Sequence, residues 1–290
     1  DGKNFFQYER CETINFGDEN RVKIALTNMD ITWEDKSVNR DKCLELIKRA
    51  SKCGARLILF PEMTLTGFTM NPQEYGEPAG EDSETVSFFK QLSKEYAIAI
   101  GFGYIEKGEK DGLAKNHMAV VDAGKLLGDY VKIHPFSYGE ENRHYCGGDR
   151  LVTVSVDGVT LGLSICYDLR FPELYQAMRN CDAIAVIANW PKGRVAHWNA
   201  LLPARAVETQ SYLLGVNRIG RDVSLDYEAS SAAYDYDGRR LSVACKATSY
   251  GDECLMIEIE PDRVRRRKKD FPAAKDRKPA LYASFLQNDV

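Results

Sequence analysis

Histidine is scarce in this 290-residue chain, and its cysteines are never closely paired. The four histidines, His117, His134, His144 and His197, form no H-x-x-x-H pattern, and the eight cysteines include no C-x-x-C pair. Both absences argue against a built-in metal site, and nothing else calls for a cofactor. Scattered cysteines in a long chain read as free thiols in a reducing, cytoplasmic setting. No apolar stretch approaches the roughly 20 residues of a membrane span. Residues 1–19 are polar, lack a signal-peptide core and read as an N-terminal tail. There is no large charge excess: 39 basic against 43 acidic residues leaves a net charge of -4. Neither nucleic acid nor a membrane surface is therefore an expected partner. No repeat and no Pro/Gly/Ser-rich linker divides the chain.

What is present is a substantial core, with 44% hydrophobic residues, arranged as alternating strands and helices. Arg21–Met29 predicts a strand. Lys36–Lys52 predicts an amphipathic helix with Cys43, Leu44, Ile47 and Ala50 on one face. A strand into Glu62, a helix over Glu84–Glu95 and a strand over Ala97–Glu106 follow. Hairpins are expected around Ala123-Gly124, Asp157-Gly158 and Asp237-Gly238. Ala183–Ala188, Tyr212–Arg218 and Leu255–Ile259 read as further strands, and Trp198–Gln210 as a helix. Hairpins mixed with β-α units predict an α/β fold with mixed sheets.

Three strand ends carry reactive groups. The apolar run Val159-Thr-Leu-Gly-Leu-Ser-Ile165 stops at Cys166, ahead of a helical segment from Phe171 to Arg179. Backbone N–H groups at such a turn favour a thiolate and can hold an oxyanion. A second run, Ala55-Arg-Leu-Ile-Leu-Phe-Pro, delivers Glu62. A third places Lys132 just before His134-Pro135. A lone cysteine, glutamate or lysine at such a position is usually packing or surface. Three together at the carboxyl ends of strands suggest a catalytic cluster.

These segments resemble the nitrilase superfamily of carbon–nitrogen hydrolases, marked by a Glu–Lys–Cys triad. The resemblance rests on Phe60-Pro-Glu62 with Thr66-Gly-Phe68, Lys132-Ile-His-Pro-Phe136 and Cys166-Tyr-Asp-Leu-Arg-Phe-Pro-Glu-Leu174. It continues through Asn189-Trp-Pro191, His197-Trp198, Ala204-Arg-Ala206 with Glu208, and Asn217-Arg-Ile-Gly220. It spans about Val22 to Tyr282 and is most similar to the omega-amidase branch, because Tyr167-Asp168 stands where true nitrilases have Trp-Glu. It implies a four-layer αββα sandwich over residues 20–270, a homodimer or larger homo-oligomer, and an extended C-terminal arm over 271–290 at the subunit interface. It also implies a second glutamate near the lysine. Anchored on Gly148-Asp149 this is Glu141; anchored on Lys132 it is Glu140. The first is preferred.

The implied activity is ammonia release from a small amide through a Cys166 thioester. Glu62 acts as general base, and Lys132 with the Tyr167 N–H as oxyanion donors. The branch points to the ω-amide of a 2-oxo acid, 2-oxoglutaramate or 2-oxosuccinamate. Deaminated-glutathione amidase, N-carbamoyl hydrolase and other aliphatic amidases share the machinery. A Cys–His thiol hydrolase and a catalytically silent assembly protein are the readings outside this class. Tyr167, Arg170, Phe68, Phe136 and Trp190 are candidate substrate-binding residues. Arg170 has a structural alternative, a pair with Asp168 or Glu173. Arg205 and Glu208 read as a structural ion pair, and Arg263–Asp270, which carries the basic run Arg265–Lys269, as a solvated helix capped by Asp262. Tyr227-Glu-Ala-Ser-Ser231 replaces a Gly-x-Ser turn frequent in relatives, which bears on substrate preference.

Overall fold

The structure, a computed structural model, describes residues 21–109 and 112–286. The predicted tail over 1–19 lies outside the described residues. In chain order the first strands and helices are β1 (Val22–Asn28), α1 (Lys36–Lys52), β2 (Leu57–Leu59), α2 (Pro72–Tyr75), α3 (Glu84–Glu95), β3 (Ala99–Glu106), β4 (Lys115–Asp122) and β5 (Lys125–Val131). Then come β6 (Thr153–Val156), β7 (Val159–Ile165), α4 (Pro172–Ala177), β8 (Ala183–Ala188), α5 (Val195–Thr209) and β9 (Tyr212–Asn217). The last are β10 (Gly220–Arg221), β11 (Asp226–Tyr227), β12 (Ala232–Tyr234), β13 (Ala244–Ala247), β14 (Glu253–Ile259), α6 (Pro261–Asp270) and α7 (Pro279–Leu286).

Alternation along the strands builds the layers. In β7, Leu161, Leu163 and Ile165 face one way and meet Val22, Ile24 and Leu26 of β1 in a core between two sheets. Ile184, Val186 and Ala188 of β8 face the other way, against Leu174, Trp198 and Leu202 of α4 and α5. Ala25, Ile58 and Ile100 similarly pack on Leu46 and Ile47 of α1 and Phe89 of α3. Three apolar interlayers make the expected four-layer αββα sandwich. Strands buried on both faces have no polar side, which explains their near-continuous apolar runs. One sheet runs β13-β14-β1-β2-β3-β4-β5 and the other β12-β9-β8-β7-β6. The pairs β1–β2, β2–β3, β7–β8 and β8–β9 are parallel, and their flanking neighbours are antiparallel.

Several expectations need correction. On α1 the buried residues are Asn39, Lys42, Cys43, Leu46, Ile47 and Ala50. Leu44 is only partly buried, because 100° per residue carries it to the flank. The turn at Asp237-Gly238 forms, with Asp235 N donating to Arg239 O at 2.9 Å. Its two arms nevertheless join different sheets, β12 pairing with β9 and β13 with β14. Glu260, not Asp262, is the N-cap residue of α6. The basic run is a clamp more than a free face: Arg265 pairs with Asp182 at 2.8 Å, and Arg267 with Asp237 at 3.0 Å. Lys268 donates to Cys181 O at 2.6 Å and Ser211 Oγ at 2.9 Å. The arm expected to be extended is helical over Pro279–Leu286, where a proline at the first position precedes good helix formers.

Candidate active site

Four strand ends converge at one edge of the sandwich. Glu62 follows β2 in a turn locked onto β3, with Thr64 N donating to Gly103 O at 3.0 Å and Gly103 N donating to Thr64 Oγ1 at 2.9 Å. Lys132 is the first residue after β5, and its N–H donates to Asn116 O at 2.8 Å. Asn189 follows β8, and Cys166 follows β7. Cys166 has φ +45°, a left-handed conformation that is uncommon for a side-chain-bearing residue and frequent where function demands it. The segment after it is a 3-10 turn, Cys166–Arg170; α4 starts only at Pro172. The N–H groups beside the sulfur therefore belong to this turn rather than to a helix start.

Asp168 holds the turn in place. Its buried carboxylate accepts from Ile165 N at 3.0 Å, Tyr130 Oη at 2.8 Å and His134 N at 3.1 Å. His134 Nδ1 lies 2.8 Å from the same carboxylate, with its ring stacked 3.7 Å from Phe171. Asp168 is thus committed to the backbone and to these two side chains, and the proposed pair with Arg170 does not form.

Lys132 is bound on both sides. Its Nζ donates to Glu62 Oε1 at 2.9 Å and to Glu141 Oε1 and Oε2 at 3.1 and 2.8 Å. Asn116 Nδ2 joins the same two carboxylates, at 2.8 Å to Glu62 and 3.0 Å to Glu141. Glu62 Oε2 accepts from Asn189 N at 2.9 Å, and Glu141 Oε2 from Phe136 N at 2.6 Å. All four side chains are buried. Glu140 points away: it is exposed, adopts φ 58° and pairs with Arg143 at 2.8 Å. Of the two glutamates left open by the sequence, Glu141 is the one at the lysine.

Two carboxyl groups face the one Lys132 amine. Burial pushes the Cys166 thiol well above its ordinary range; nearby Glu62 reinforces this, while Lys132 opposes it. The expectation of a favoured thiolate is therefore reversed. Burial alone would lower the Lys132 pKa, but Glu141 and Glu62 outweigh it and hold the amine well above its usual value. The resting site is a neutral thiol beside a carboxylate able to take its proton.

The thiol opens on a cleft with about 430 Å³ of empty space, the open solvent at its mouth included. All five predicted binding residues, Phe68, Phe136, Tyr167, Arg170 and Trp190, line it with Cys166. Arg170 Cζ lies 4.9 Å from the Trp190 ring and 5.9 Å from that of Tyr167, and its Nη2 is 3.2 Å from His197 Nδ1. Sequence reasoning did not anticipate Asn116 in the buried network or Arg194 and Leu225 in the wall, whereas Tyr227, from the segment expected to bear on substrate preference, does line it. Arg194 lies between the Asn189-Trp-Pro191 and His197-Trp198 segments and belongs to neither. Leu225 and Tyr227 come from the small β10–β11 hairpin, which no apolar period announces. Ser230 and Ser231 bond Asn217 at 2.9 and 2.8 Å, and Asn217 in turn accepts from Trp190 N at 2.7 Å. No histidine is among the cleft's lining residues.

The chain is similar to several known proteins. It is 30% identical over 259 residues to "Omega-amidase YafV" of Yersinia enterocolitica, covering 88% of this chain and 96% of that one. It is 27% identical over 263 residues to a 2-oxoglutaramate amidase of Bacillus subtilis, covering 89% and 98%. A CN-hydrolase superfamily protein of Xanthomonas campestris, solved with an arsenic adduct in its active site, superposes with a TM-score of 0.79 at 26% identity over 89% of this chain and 97% of that one. Residues 23–269 match the family described as Carbon-nitrogen hydrolase. A four-layer sandwich with glutamate, lysine and cysteine at its strand ends, matched over most of its length, belongs to the carbon–nitrogen hydrolase family.

Proposed function

We propose that this hydrolase releases ammonia from the ω-amide of a small 2-oxo acid, 2-oxoglutaramate or 2-oxosuccinamate, through a thioester on Cys166. The observation that carries the reading is the buried Glu62–Lys132–Glu141 network beside the Cys166 thiol, at the floor of a cleft lined by Arg170. The relatives named as amidases support the substrate class.

In this mechanism Glu62 takes the thiol proton as sulfur attacks the amide carbon. The oxyanion is held by the Lys132 ammonium and the Tyr167 N–H. Glu62 returns the proton to nitrogen, the C–N bond breaks and ammonia leaves a thioester. Water then attacks, Glu62 takes its proton, and C–S cleavage frees the acid as the proton passes to sulfur. Glu141 keeps Lys132 positioned. No metal or cofactor enters these steps. Exposed apolar side chains on α5 and α7, Val207, Tyr282 and Phe285, support a homodimer packed through this helical layer.

The test is ammonia release from 2-oxoglutaramate, 2-oxosuccinamate, glutamine, aliphatic amides, an N-carbamoyl amino acid and a nitrile, with Cys166→Ala alongside. Turnover of the 2-oxo ω-amides, lost in the variant, is expected. Turnover of another amide alone would move the protein to another branch. Undiminished activity in Cys166→Ala would refute the mechanism.

A further inference from the structure

The cleft above Cys166 is lined by two guanidinium groups and by no carboxylate. Arg170 lies over Trp190, and Arg194 lies over Phe136 with its Cζ 5.2 Å from the ring centroid. Among the described residues neither arginine has an ion-pair partner. The Arg194 main chain is fixed independently of its side chain, because Trp190 Nε1 donates to Arg194 O at 2.8 Å. A guanidinium laid on an aromatic face is pre-organised and keeps its edge N–H donors free for a carboxylate fork. Two such groups without a counter-charge attract an anionic acyl chain. They repel a cationic one, which finds no carboxylate in the wall to offset the repulsion.

We propose that Arg194 is a specificity-determining residue that works with Arg170. The two cations hold the terminal carboxylate and neighbouring 2-oxo oxygen of the acyl chain, and they exclude a chain with a 2-ammonium group there. This rests on the amidohydrolase reading and narrows it to ω-amides of 2-oxo acids over amino-acid amides such as glutamine. It also assigns a role to a residue outside the Glu–Lys–Cys machinery.

The experiment compares the wild type, Arg194→Gln and Arg194→Lys on 2-oxoglutaramate, glutamine and butyramide. Calorimetry of 2-oxoglutarate binding is run in parallel on Cys166→Ala with and without Arg194→Gln. In Arg194→Gln, kcat/KM for 2-oxoglutaramate relative to butyramide is expected to fall about 10–100-fold, the range for a lost hydrogen bond to a charged group. The change should lie in KM and not kcat, discrimination against glutamine should narrow, and Arg194→Lys should recover part of the loss. An equal fall on both amides, or no change on either, would overturn the proposal. If the wild type turned over no amide, the amidohydrolase reading would fail while calorimetry still decided the arginine. A roughly tenfold weaker 2-oxoglutarate affinity on adding Arg194→Gln would uphold its role, and an unchanged affinity would refute it.

Discussion

Lys132 sits within hydrogen-bond distance of two buried carboxylates and has almost no contact with solvent. Removing one partner of a buried ionic group typically costs about 3–5 kcal/mol, because the remaining charge is stranded. Lys132→Ala is therefore expected to lower thermal stability measurably. It should also reduce kcat/KM by at least about 100–1000-fold through the lost oxyanion donor. Normal stability in a thermal scan would contradict the network. Glu141→Gln and Glu140→Gln separate the two neighbours: the first should cripple ammonia release, and the second should leave it near the wild-type rate. The raised Cys166 pKa gives a third outcome. Iodoacetamide alkylation of the free enzyme should keep accelerating as pH rises past 9, because the thiol form prevails at neutrality. A rate already level below pH 7 would indicate a preformed thiolate. Glu62 and Cys166 were legible because each breaks an apolar run where a strand ends, and Lys132 because it closes a strand-like stretch just before a proline-marked turn. Asn116 was not, since a polar residue inside a strand reads as a solvent-facing position until its partners are seen.

Strand ends position these groups, and the close approach of β3 to the Glu62 turn is part of that positioning. A Cβ on Gly103 would lie 2.3 Å from Met63 N and 2.9 Å from Glu62 Cα. Both contacts are with backbone, so relief requires moving the turn. Gly103→Ala should therefore cost activity through displacement of Glu62 as well as stability. A variant with wild-type kcat would show that the turn tolerates the shift. Most strands and helices were legible because their faces are uniformly apolar. Two failures have physical causes. The Asp237-Gly238 turn is encoded locally, whereas the sheet that each arm joins depends on β9 and β14, far away in sequence. The basic run of α6 looked solvent-facing, because Asp182 and Asp237 approach it only in the folded chain.

Across the molecule, several thiols are buried in apolar layers. Burial pushes Cys181 up to about 11 and Cys254 up to about 12, and raises Cys43 well above its ordinary value. An unfolded thiol ionises near pH 9 while these remain protonated in the native state. Above that pH the unfolded chain binds fewer protons, so stability falls as pH rises. Each such thiol contributes about 1.4 kcal/mol per pH unit until its folded pKa is reached. Lys268, lowered to about 8 by burial, works in the opposite direction between pH 8 and its unfolded value near 10.4. One amine does not offset the thiols. The melting temperature is thus expected to decline between about pH 9 and 12, and a flat profile over that range would contradict the burial of these groups. Light scattering tests the proposed homodimer, which a monomeric mass would refute. The αββα layering came from family resemblance. Composition and periodicity alone reached only mixed sheets with helices, because the stacking of two sheets is decided by which apolar faces meet.

The central claim is that Cys166 carries the acyl group during turnover. Intact-protein mass spectrometry of acid-quenched reactions with 2-oxoglutaramate tests it most directly. The expected spectrum shows an adduct equal to the amide minus ammonia, mapped to the Cys166 peptide, absent from Cys166→Ala and decaying once substrate is spent. Ammonia release at full rate from Cys166→Ala, with no adduct on either protein, would contradict it.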